Sequence, residues 1–449
     1  MPTHSTLRTL TLALAITIPC AQAIVVVPYV SYIGPSPIGV PNEFVRNPVN
    51  ESGPDMPLYQ GRIGVHLTIG TPPQHVWAPP HFFDSETYVR SASLCGGDDM
   101  EQPGQLEFCE SDYSGIFAAN ESSTFNRSNE EPFGTDTVTF FDATPDLMND
   151  GFKFGVLDTE EPNYVGELWG TLGLGSNSTF LQTFFPGKEQ IGIYATGGNS
   201  TFGKPPPSYP PRPLVVYELE LGGYNESHFT GEKFTQSIGP PSPFSNSSNP
   251  FTLNVTGISV GSNDILGGEP FLATVDLAGR ISNILPTAVY DAFVDVTGGK
   301  IRSGLPTYNH SSLPTNPADQ YNLTMTFSNG YSVSFPQEFL FSYMPTREPD
   351  FAQANILRVG DPGLSSRSWS GPVIALNQLM WSSYIGIDHA AGEWWLAKAV
   401  HPWDEPESTN TNTTNPEPKT GAAAGGIGDN LKKALVSAAA LAAAVALFC

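Results

Sequence analysis

The stretch that decides the fold runs from Tyr59 to Cys95 and reads YQGRIGVHLTIGTPPQHVWAPPHFFDSETYVRSASLC. In its first half, every second position is apolar: Ile63, Val65, Leu67 and Ile69. This alternation predicts a β-strand with one face in the core and the other toward solvent. Residues 70–74, GTPPQ, end the strand, because proline lacks a backbone donor and restricts φ. We expect a second strand after this turn, ending near residues 88–89.

The composition of the whole chain favours an all-β protein. The 449 residues include 44 glycines and 42 prolines, and long helical patterns are scarce. This length suffices for one large two-lobed domain, or for two domains, with a substantial core. The formal net charge of −24 disfavours nucleic acid and anionic membrane surfaces as partners.

Both ends of the chain resemble processing signals. Residues 1–23 combine Arg8, an apolar run and the sequence AQA at residues 21–23, which predicts a secretory signal peptide. Residues 421–449 combine small residues, a polar spacer and a short apolar tail, which predicts a GPI-anchor signal. A single membrane helix is the alternative interpretation of this tail. Residues 401–420 are rich in Pro, Thr and Asn and predict a glycosylated stalk.

Cysteines and sequons also indicate a secreted protein. Removal of both ends leaves Cys95 and Cys109, which we expect to pair in an oxidising compartment. Closing this 15-residue loop would contribute about 3 kcal/mol in the chain-entropy model. Asn-x-Ser/Thr sequons predict glycosylation at the surface, and they lie at Asn50, Asn120, Asn126, Asn177, Asn199, Asn225, Asn246, Asn254, Asn309, Asn322 and Asn412. The expected location is the cell surface, at the plasma membrane or in the cell wall.

Several segments resemble pepsin-like aspartic proteases. Residues 69–74, IGTPPQ, resemble the N-terminal lobe of that family, in which the next strand delivers a catalytic Asp-Thr-Gly-Ser loop. Further framework segments resemble the same family, namely residues 133–140 (FGTDTVTF), 169–175 (WGTLGLG), 219–224 (LELGGY), 285–293 (LPTAVYDAF), 384–388 (YIGID) and 394–397 (WWLA). The resemblance covers about residues 61–400.

This resemblance implies an all-β, bilobed double β-barrel with a central cleft. Lobe one would span about residues 61–200 and lobe two about residues 214–400. Residues 24–60 would form an N-terminal extension, and it lacks the basic character of the family's prosegment. The proline-rich residues 204–213 would be an extended surface connection between the lobes.

The catalytic loops depart from the family's pattern. Without gaps, the Asp-Thr-Gly-Ser position falls on residues 81–84, HFFD, so His81 stands where the resemblance implies an aspartate. A shift of three residues would keep a carboxylate at Asp84 but needs compensating gaps, so we favour the ungapped register. In lobe two, Asp276 matches the catalytic aspartate, and Leu277 replaces the hydroxyl residue that braces it.

These departures bear directly on the chemistry. An aspartic protease needs two adjacent carboxylates that share one proton, because like charges so close cannot both ionise. One aspartate and one histidine do not reproduce that pair. The tyrosine-bearing flap is also not recognisable in residues 125–132. We therefore expect a pepsin-like fold without its catalytic machinery, and no pepstatin-sensitive peptidase activity at acidic pH.

Three hypotheses for function follow. The first is a GPI-anchored pseudo-protease, inactive or weak, whose cleft binds a peptide, a protein or a cell-wall glycan. The second is an active aspartic endopeptidase using Asp84 and Asp276, similar to the yapsin-like surface enzymes of fungi. The third is a structural wall glycoprotein. In each case we expect a monomer.

Other motifs favour structural roles. Residues 257–261, GISVG, match the Gly-x-Ser-x-Gly elbow of serine hydrolases but continue an alternating strand instead of turning into a helix. His81 and Asp84 are expected to form a structural polar pair, and Trp394 and Trp395 to pack in the core. No histidine pair has helix-face metal spacing, so we expect neither a metal site nor a cofactor.

Overall fold

The part of the chain that the computed structural model describes belongs to one unit, Ile24–Asp404. It comprises residues 24–31, 64–92, 116–129, 132–140, 143–157, 170–195, 198–201, 213–244, 249–277, 283–302, 305–316, 319–343, 351–360, 370–380 and 382–400. Strands dominate these residues, which confirms the predicted all-β class.

The strands are numbered in chain order. Those of the first part are β1 (Val25–Ser31), β2 (Gly64–Ile69), β3 (Gln74–Ala78), β4 (Pro80–His81), β5 (Tyr88–Arg90), β6 (Asn126–Arg127), β7 (Phe133–Phe140), β8 (Leu147–Leu157), β9 (Leu172–Gly173), β10 (Gln190–Ala195), β11 (Gly198–Thr201) and β12 (Pro213–Leu221). Those of the second part are β13 (Phe229–Ser237), β14 (Thr252–Val260), β15 (Asn263–Asp264), β16 (Phe271–Asp276), β17 (Asn283–Leu285), β18 (Lys300–Arg302), β19 (Leu305–Asn309), β20 (Leu323–Phe327), β21 (Ser332–Phe335), β22 (Phe341–Tyr343), β23 (Phe351–Ala354), β24 (Ile356–Arg358), β25 (Val373–Ala375), β26 (Ser383–Asp388) and β27 (Glu393–Ala399).

Helices are short. The α-helices of the described chain are α1 (Thr179–Phe184), α2 (Thr287–Thr297), α3 (Gln337–Leu340) and α4 (Leu376–Leu379). Single 3-10 turns lie at Ala119–Glu121, Glu226–His228 and His310–Ser312. The longest helix, α2, ends at Gly298, whose φ of 70° lies in the left-handed region that glycine adopts most readily.

The largest sheet joins the two ends of the described chain. Its strands follow the order β13-β27-β26-β10-β12-β1-β2-β7-β8-β5, with β3 beside β2, β6 beside β7 and β11 beside β12. β1 belongs to the predicted N-terminal extension, yet it lies inside this sheet, antiparallel to both β12 and β2. At least this part of the extension therefore belongs to the folded unit.

A second sheet carries the later part of the chain. Its order is β21-β20-β14-β16-β25-β17-β24, with β15 beside β14. Smaller sheets consist of β18-β19-β23-β22 and of the pair β4-β9. β14 runs on through the predicted Gly-x-Ser-x-Gly sequence and turns at Gly261 into another strand, β15. A helix does not follow it, so the hydrolase interpretation loses the setting that it requires.

The core lies on one face of the large sheet and continues into the second sheet. Alternation places Val65, Leu67 and Ile69 of β2 in this core, as the sequence predicted. The opposite face of β2 differs from the prediction, because His66 is buried as well, stacked on Trp77 of β3. Both strands of the hairpin β2–β3 are therefore covered on two sides over part of their length.

The other face of the large sheet carries a second, aromatic cluster. It contains Tyr194, Tyr384 and Trp395, one from each of β10, β26 and β27. Because successive residues of a strand point to opposite faces, Trp394 lies in the main core while Trp395 lies in this cluster. Both tryptophans are buried, as the prediction of core packing required.

Candidate functional site

Two places in the chain repeat one arrangement of strands. In the first, β4 runs parallel to β9 with His81 opposite Gly173. The chain then returns as β5, where Tyr88 forms an antiparallel bridge with Thr171. β5 continues in parallel with the end of β8.

The second place follows the same plan. β16 runs parallel to β25 with Asp276 opposite Ala375. The chain returns as β17, where Ile284 pairs antiparallel with Val373, and β17 continues in parallel with β24. The returning loop is one residue longer than the first, since it runs from 276 to 284 rather than from 81 to 88. In this repeat, His81 and Asp276 occupy equivalent positions.

A shared hydrogen bond supports this equivalence. In the first unit, the backbone N–H of Gly173 donates to Oγ1 of Thr87 over 3.2 Å. In the second, the N–H of Ala375 donates to Oδ1 of Asn283 over 2.8 Å. Each acceptor directly precedes the first residue of the returning pair, and each donor lies opposite His81 or Asp276. Both returning loops are therefore fixed at the same point.

His81 lies deep in the first unit. The residue is 3% exposed, and Nδ1 lies 2.5 Å from Oδ2 of Asp84, whose side chain is 30% exposed. This is a close polar contact without the alignment of a hydrogen bond. Nε2 of His81 is buried and has no hydrogen-bond partner among the described residues. The predicted polar pair therefore forms.

Aromatic residues fill the positions beside His81. Phe82 is buried in the main core, and the ring of Phe83 lies 4.1 Å from the imidazole, centroid to centroid. A side chain at Gly175 would meet the backbone of Phe83 at 2.5 Å. The loop after His81 thus packs directly on the chain that follows β9, and Gly175 permits this approach.

Further bonds hold the same loop. The N–H of Gly175 donates to the carbonyl of Asp84 over 2.7 Å, and that of Thr179 donates to the carbonyl of Ser85 over 2.9 Å. Oγ1 of Thr179, at the start of α1, also donates to the carboxylate of Glu86 over 2.8 Å. These contacts join residues 84–86 to residues 175–179, so the loop is a rigid part of the unit.

Asp276 is the last residue of β16 and is 1% exposed. Leu277 after it is buried in the main core. The strand is held by Asn249, whose amide donates to the carbonyl of Val275 over 3.0 Å. Leucine cannot donate a hydrogen bond, so this position does not provide the hydroxyl that a catalytic carboxylate pair would need.

The candidate residues belong to two different strand units. His81 and Asp84 lie in the first unit and contact each other. Asp276 lies at the end of β16, in the second unit. Cys95, Cys109, the terminal signals and the stalk all lie outside the described residues.

The sequons differ in their surroundings. Asn50, Asn246 and Asn412 lie outside the described residues, and Asn199 lies in β11. Exposed side chains belong to Asn120, Asn126, Asn177 and Asn309, while Asn225, Asn254 and Asn322 are half-buried. Asn225 caps a 3-10 turn, accepting from the N–H of Ser227 over 3.1 Å.

The sequence does not single out two polar groups that the structure shows. Glu220 lies in the framework segment 219–224, and it is a buried carboxylate bonded to His228 and Tyr384. His66 and His75 lack helix-face metal spacing, yet Nε2 of His66 lies 2.9 Å from Nδ1 of His75. Their separation of nine residues matches no metal motif. Only the pairing of β2 with β3 brings them together.

The described residues contain no group of three or more His, Cys, Asp or Glu that could hold a metal ion. Nor does any helix in that part of the chain have the length and hydrophobicity to cross a membrane. No known protein-family model matches the sequence, and no curated protein matches it significantly.

Proposed function

We propose that the chain is a secreted, two-lobed pepsin-like protein that does not cleave peptide bonds. In this proposal it is held at the cell surface by a GPI anchor and binds a peptide or a cell-wall glycan in the cleft between its lobes. The observation that carries the proposal is the repeated strand unit, in which His81 and Asp276 hold equivalent positions. A histidine therefore occupies the position at which catalysis by a pair of aspartates would need the second carboxylate.

The side chains after these two positions support the same conclusion. Phe82 and Leu277 are core residues and offer no hydroxyl to orient a carboxylate. His81 and Asp276 are themselves almost fully buried, whereas a hydrolytic site must admit a water and a peptide to its reacting atoms. Acid proteolysis requires a proton shared between two carboxylates. A histidine paired with Asp84 does not supply that arrangement.

The test is a peptidase assay on the purified mature protein. An unstructured protein substrate is incubated at acidic pH with wild type, Asp84→Asn and Asp276→Asn, with and without pepstatin. Asp295→Asn, on the exposed side of α2, is the matched control for loss of one carboxylate. We expect no pepstatin-sensitive cleavage in any sample, with circular dichroism showing that each protein is folded.

The opposite result would restore the active-enzyme hypothesis. Pepstatin-sensitive cleavage by wild type and the Asp295 variant, lost in both Asp84→Asn and Asp276→Asn, would show that these two carboxylates act together. Cleavage that survives every substitution would come from a contaminating peptidase. Binding of the non-cleaving protein to a peptide library or to wall glycans would then separate a cleft receptor from a purely structural glycoprotein.

A further inference from the structure

Two histidines meet on the hairpin β2–β3, away from the repeated strand units. Nε2 of His66 lies 2.9 Å from Nδ1 of His75, and the two ring centroids are 5.0 Å apart. In the antiparallel register His66 lies opposite Trp77, and Thr68 lies opposite His75. The histidines are therefore diagonal neighbours on one face, the face opposite the core residues Val65 and Val76.

The two rings differ in exposure. His66 is buried, and its ring stacks on the indole of Trp77 at 4.1 Å with an interplanar angle of 6°. His75 is exposed. The buried ring is thus held in one orientation, while its partner is open to solvent. Preorganisation of this kind lowers the cost of bringing two donor atoms to one ligand.

The chemistry of the two ligands favours particular ions. Two ring nitrogens face each other over 2.9 Å, close enough for one ion to bind both. Imidazole is a suitable ligand for Zn²⁺, Cu²⁺, Fe and Ni²⁺, and among these divalent ions the affinity of a given nitrogen site is highest for Cu²⁺.

We propose that His66 and His75 form a two-histidine binding site for a divalent transition-metal ion, with Cu²⁺ bound most tightly. In the absence of metal, the 2.9 Å contact is an N–H···N hydrogen bond between two neutral rings. When a metal binds, the proton of the donor ring moves to the other nitrogen of that ring, so that both facing nitrogens offer a lone pair. Rotation of the exposed His75 side chain then brings the two nitrogens to one ion. Water or an external ligand fills the remaining positions, which distinguishes this site from a closed structural one.

The decisive variant is His75→Gln, titrated with Cu²⁺ as the mature glycoprotein. Glutamine removes the ligand nitrogen at an exposed position and keeps a side chain that hydrogen-bonds to His66. The matched control is His389→Gln, since Nε2 of His389 is already engaged with the carbonyl of Leu174 over 2.7 Å. Calorimetry gives affinity and stoichiometry, and pulsed electron paramagnetic resonance counts the nitrogens bound to Cu²⁺.

We expect one Cu²⁺ per wild-type chain with two bound imidazole nitrogens. His75→Gln should weaken Cu²⁺ binding by a factor of about ten or more, because loss of even a supporting hydrogen-bond partner of a metal ligand costs about that much. His389→Gln should leave the Cu²⁺ affinity unchanged. Trp77→Phe gives a second readout, because Cu²⁺ beside His66 should quench the fluorescence of the stacked indole. The Trp77→Phe variant should still bind Cu²⁺, but the part of the fluorescence quenching that comes from Trp77 should be absent.

Three results would overturn the site. One is the absence of Cu²⁺ binding by folded wild type, and another is an affinity that His75→Gln leaves unchanged. The third is a resonance spectrum with fewer than two nitrogens. Tighter binding of Zn²⁺ than of Cu²⁺ would overturn the preference for Cu²⁺. If His75→Gln fails to fold, His75→Ala replaces it, because His75 is exposed and lies outside the main core.

Discussion

At the scale of single residues, the buried carboxylate of Glu220 contacts three groups beside the aromatic cluster of the large sheet. Oε2 accepts from the backbone N–H of Asn225 and from the hydroxyl of Tyr384, each over 2.5 Å. Oε1 contacts Nδ1 of His228, also over 2.5 Å. A buried charge is tolerated when it is paired and fully hydrogen-bonded. Glu220 therefore fastens residues 225–228 to the large sheet.

Glu218 and Glu220 offer a matched pair of substitutions on one strand. Burial raises the pKa of Glu218, an effect that His228 opposes and Glu220 increases. Glu218→Gln imitates the neutral form and should cost less than about 1 kcal/mol of unfolding free energy. Glu220→Gln replaces one of the two acceptor oxygens with an NH₂ group, leaves a buried donor unsatisfied and should cost about 1–3 kcal/mol. Urea unfolding at neutral pH measures both, and equal losses would contradict this assignment of roles.

His389 gives a prediction for acid stability. Burial lowers the pKa of His389 below its ordinary 6.5, although the bond to Leu174 and the charges of Glu189 and Asp388 oppose the shift. The unfolded chain thus takes up the proton first, and this contribution to stability is lost as pH falls below 6.5. His389→Gln removes the titration and keeps a donor for Leu174. Its melting temperature should fall less than that of wild type between pH 7 and pH 5.

Thermal unfolding over a series of pH values makes that comparison. The variant is compared with wild type at each pH, so that titration of other groups cancels. Parallel curves for the two proteins would show that His389 does not contribute to acid sensitivity.

At the scale of elements, β1 lies inside the large sheet, although the sequence predicted that its residues belong to an N-terminal extension. It pairs with β12 along all seven of its residues, from Val25 opposite Leu221 to Ser31 opposite Val215. It also pairs with β2, and Val27 is fully buried in the main core. Loss of β1 would separate β12 from β2 and expose two rows of backbone groups.

We therefore expect that this strand stays in the mature protein. N-terminal sequencing of the secreted chain should begin at or near Ile24, after removal of the predicted signal peptide. Deletion of residues 24–31 behind an intact signal should abolish secretion of folded protein. An equal deletion in the predicted stalk, residues 405–412, is the control and should be tolerated. Efficient secretion of a folded protein without β1 would contradict its role in the sheet.

At the scale of the whole molecule, the large sheet joins distant parts of the chain. β26 and β27 lie beside β10 in a sheet that also contains β1 and β12. The two repeated units lie in different sequence halves, one ending at β9 and the other at β25. A fold of this kind depends on non-local pairing, so we expect it to form slowly.

The predicted anchor is tested on intact cells. Phosphatidylinositol-specific phospholipase C should release the protein from the membrane, because the C-terminal tail would have been exchanged for a glycolipid. Mass spectrometry should then find no peptide that contains Phe448. Detection of that residue in the mature protein would favour the membrane-helix interpretation of the tail instead.

The sequence by itself determined the local elements. Alternating apolar residues predicted β2 and β14, because the two-residue period of a strand is visible without tertiary information. Proline and glycine marked the turn after Ile69, because their backbone preferences are also local properties of the sequence. Asp84 and Asp276 were selected as candidate carboxylates from motif resemblance, which specifies a position but not its neighbours.

Only the tertiary structure decided which residues meet. Parallel pairing of β4 with β9 and of β16 with β25 made His81 and Asp276 equivalent, although the alignment of residues 81–87 had left two registers open. His66 and His75 came together through the register of β2 with β3. Such contacts depend on strand order and register, which non-local backbone hydrogen bonds and burial select over the whole chain. No short window of the sequence contains that information.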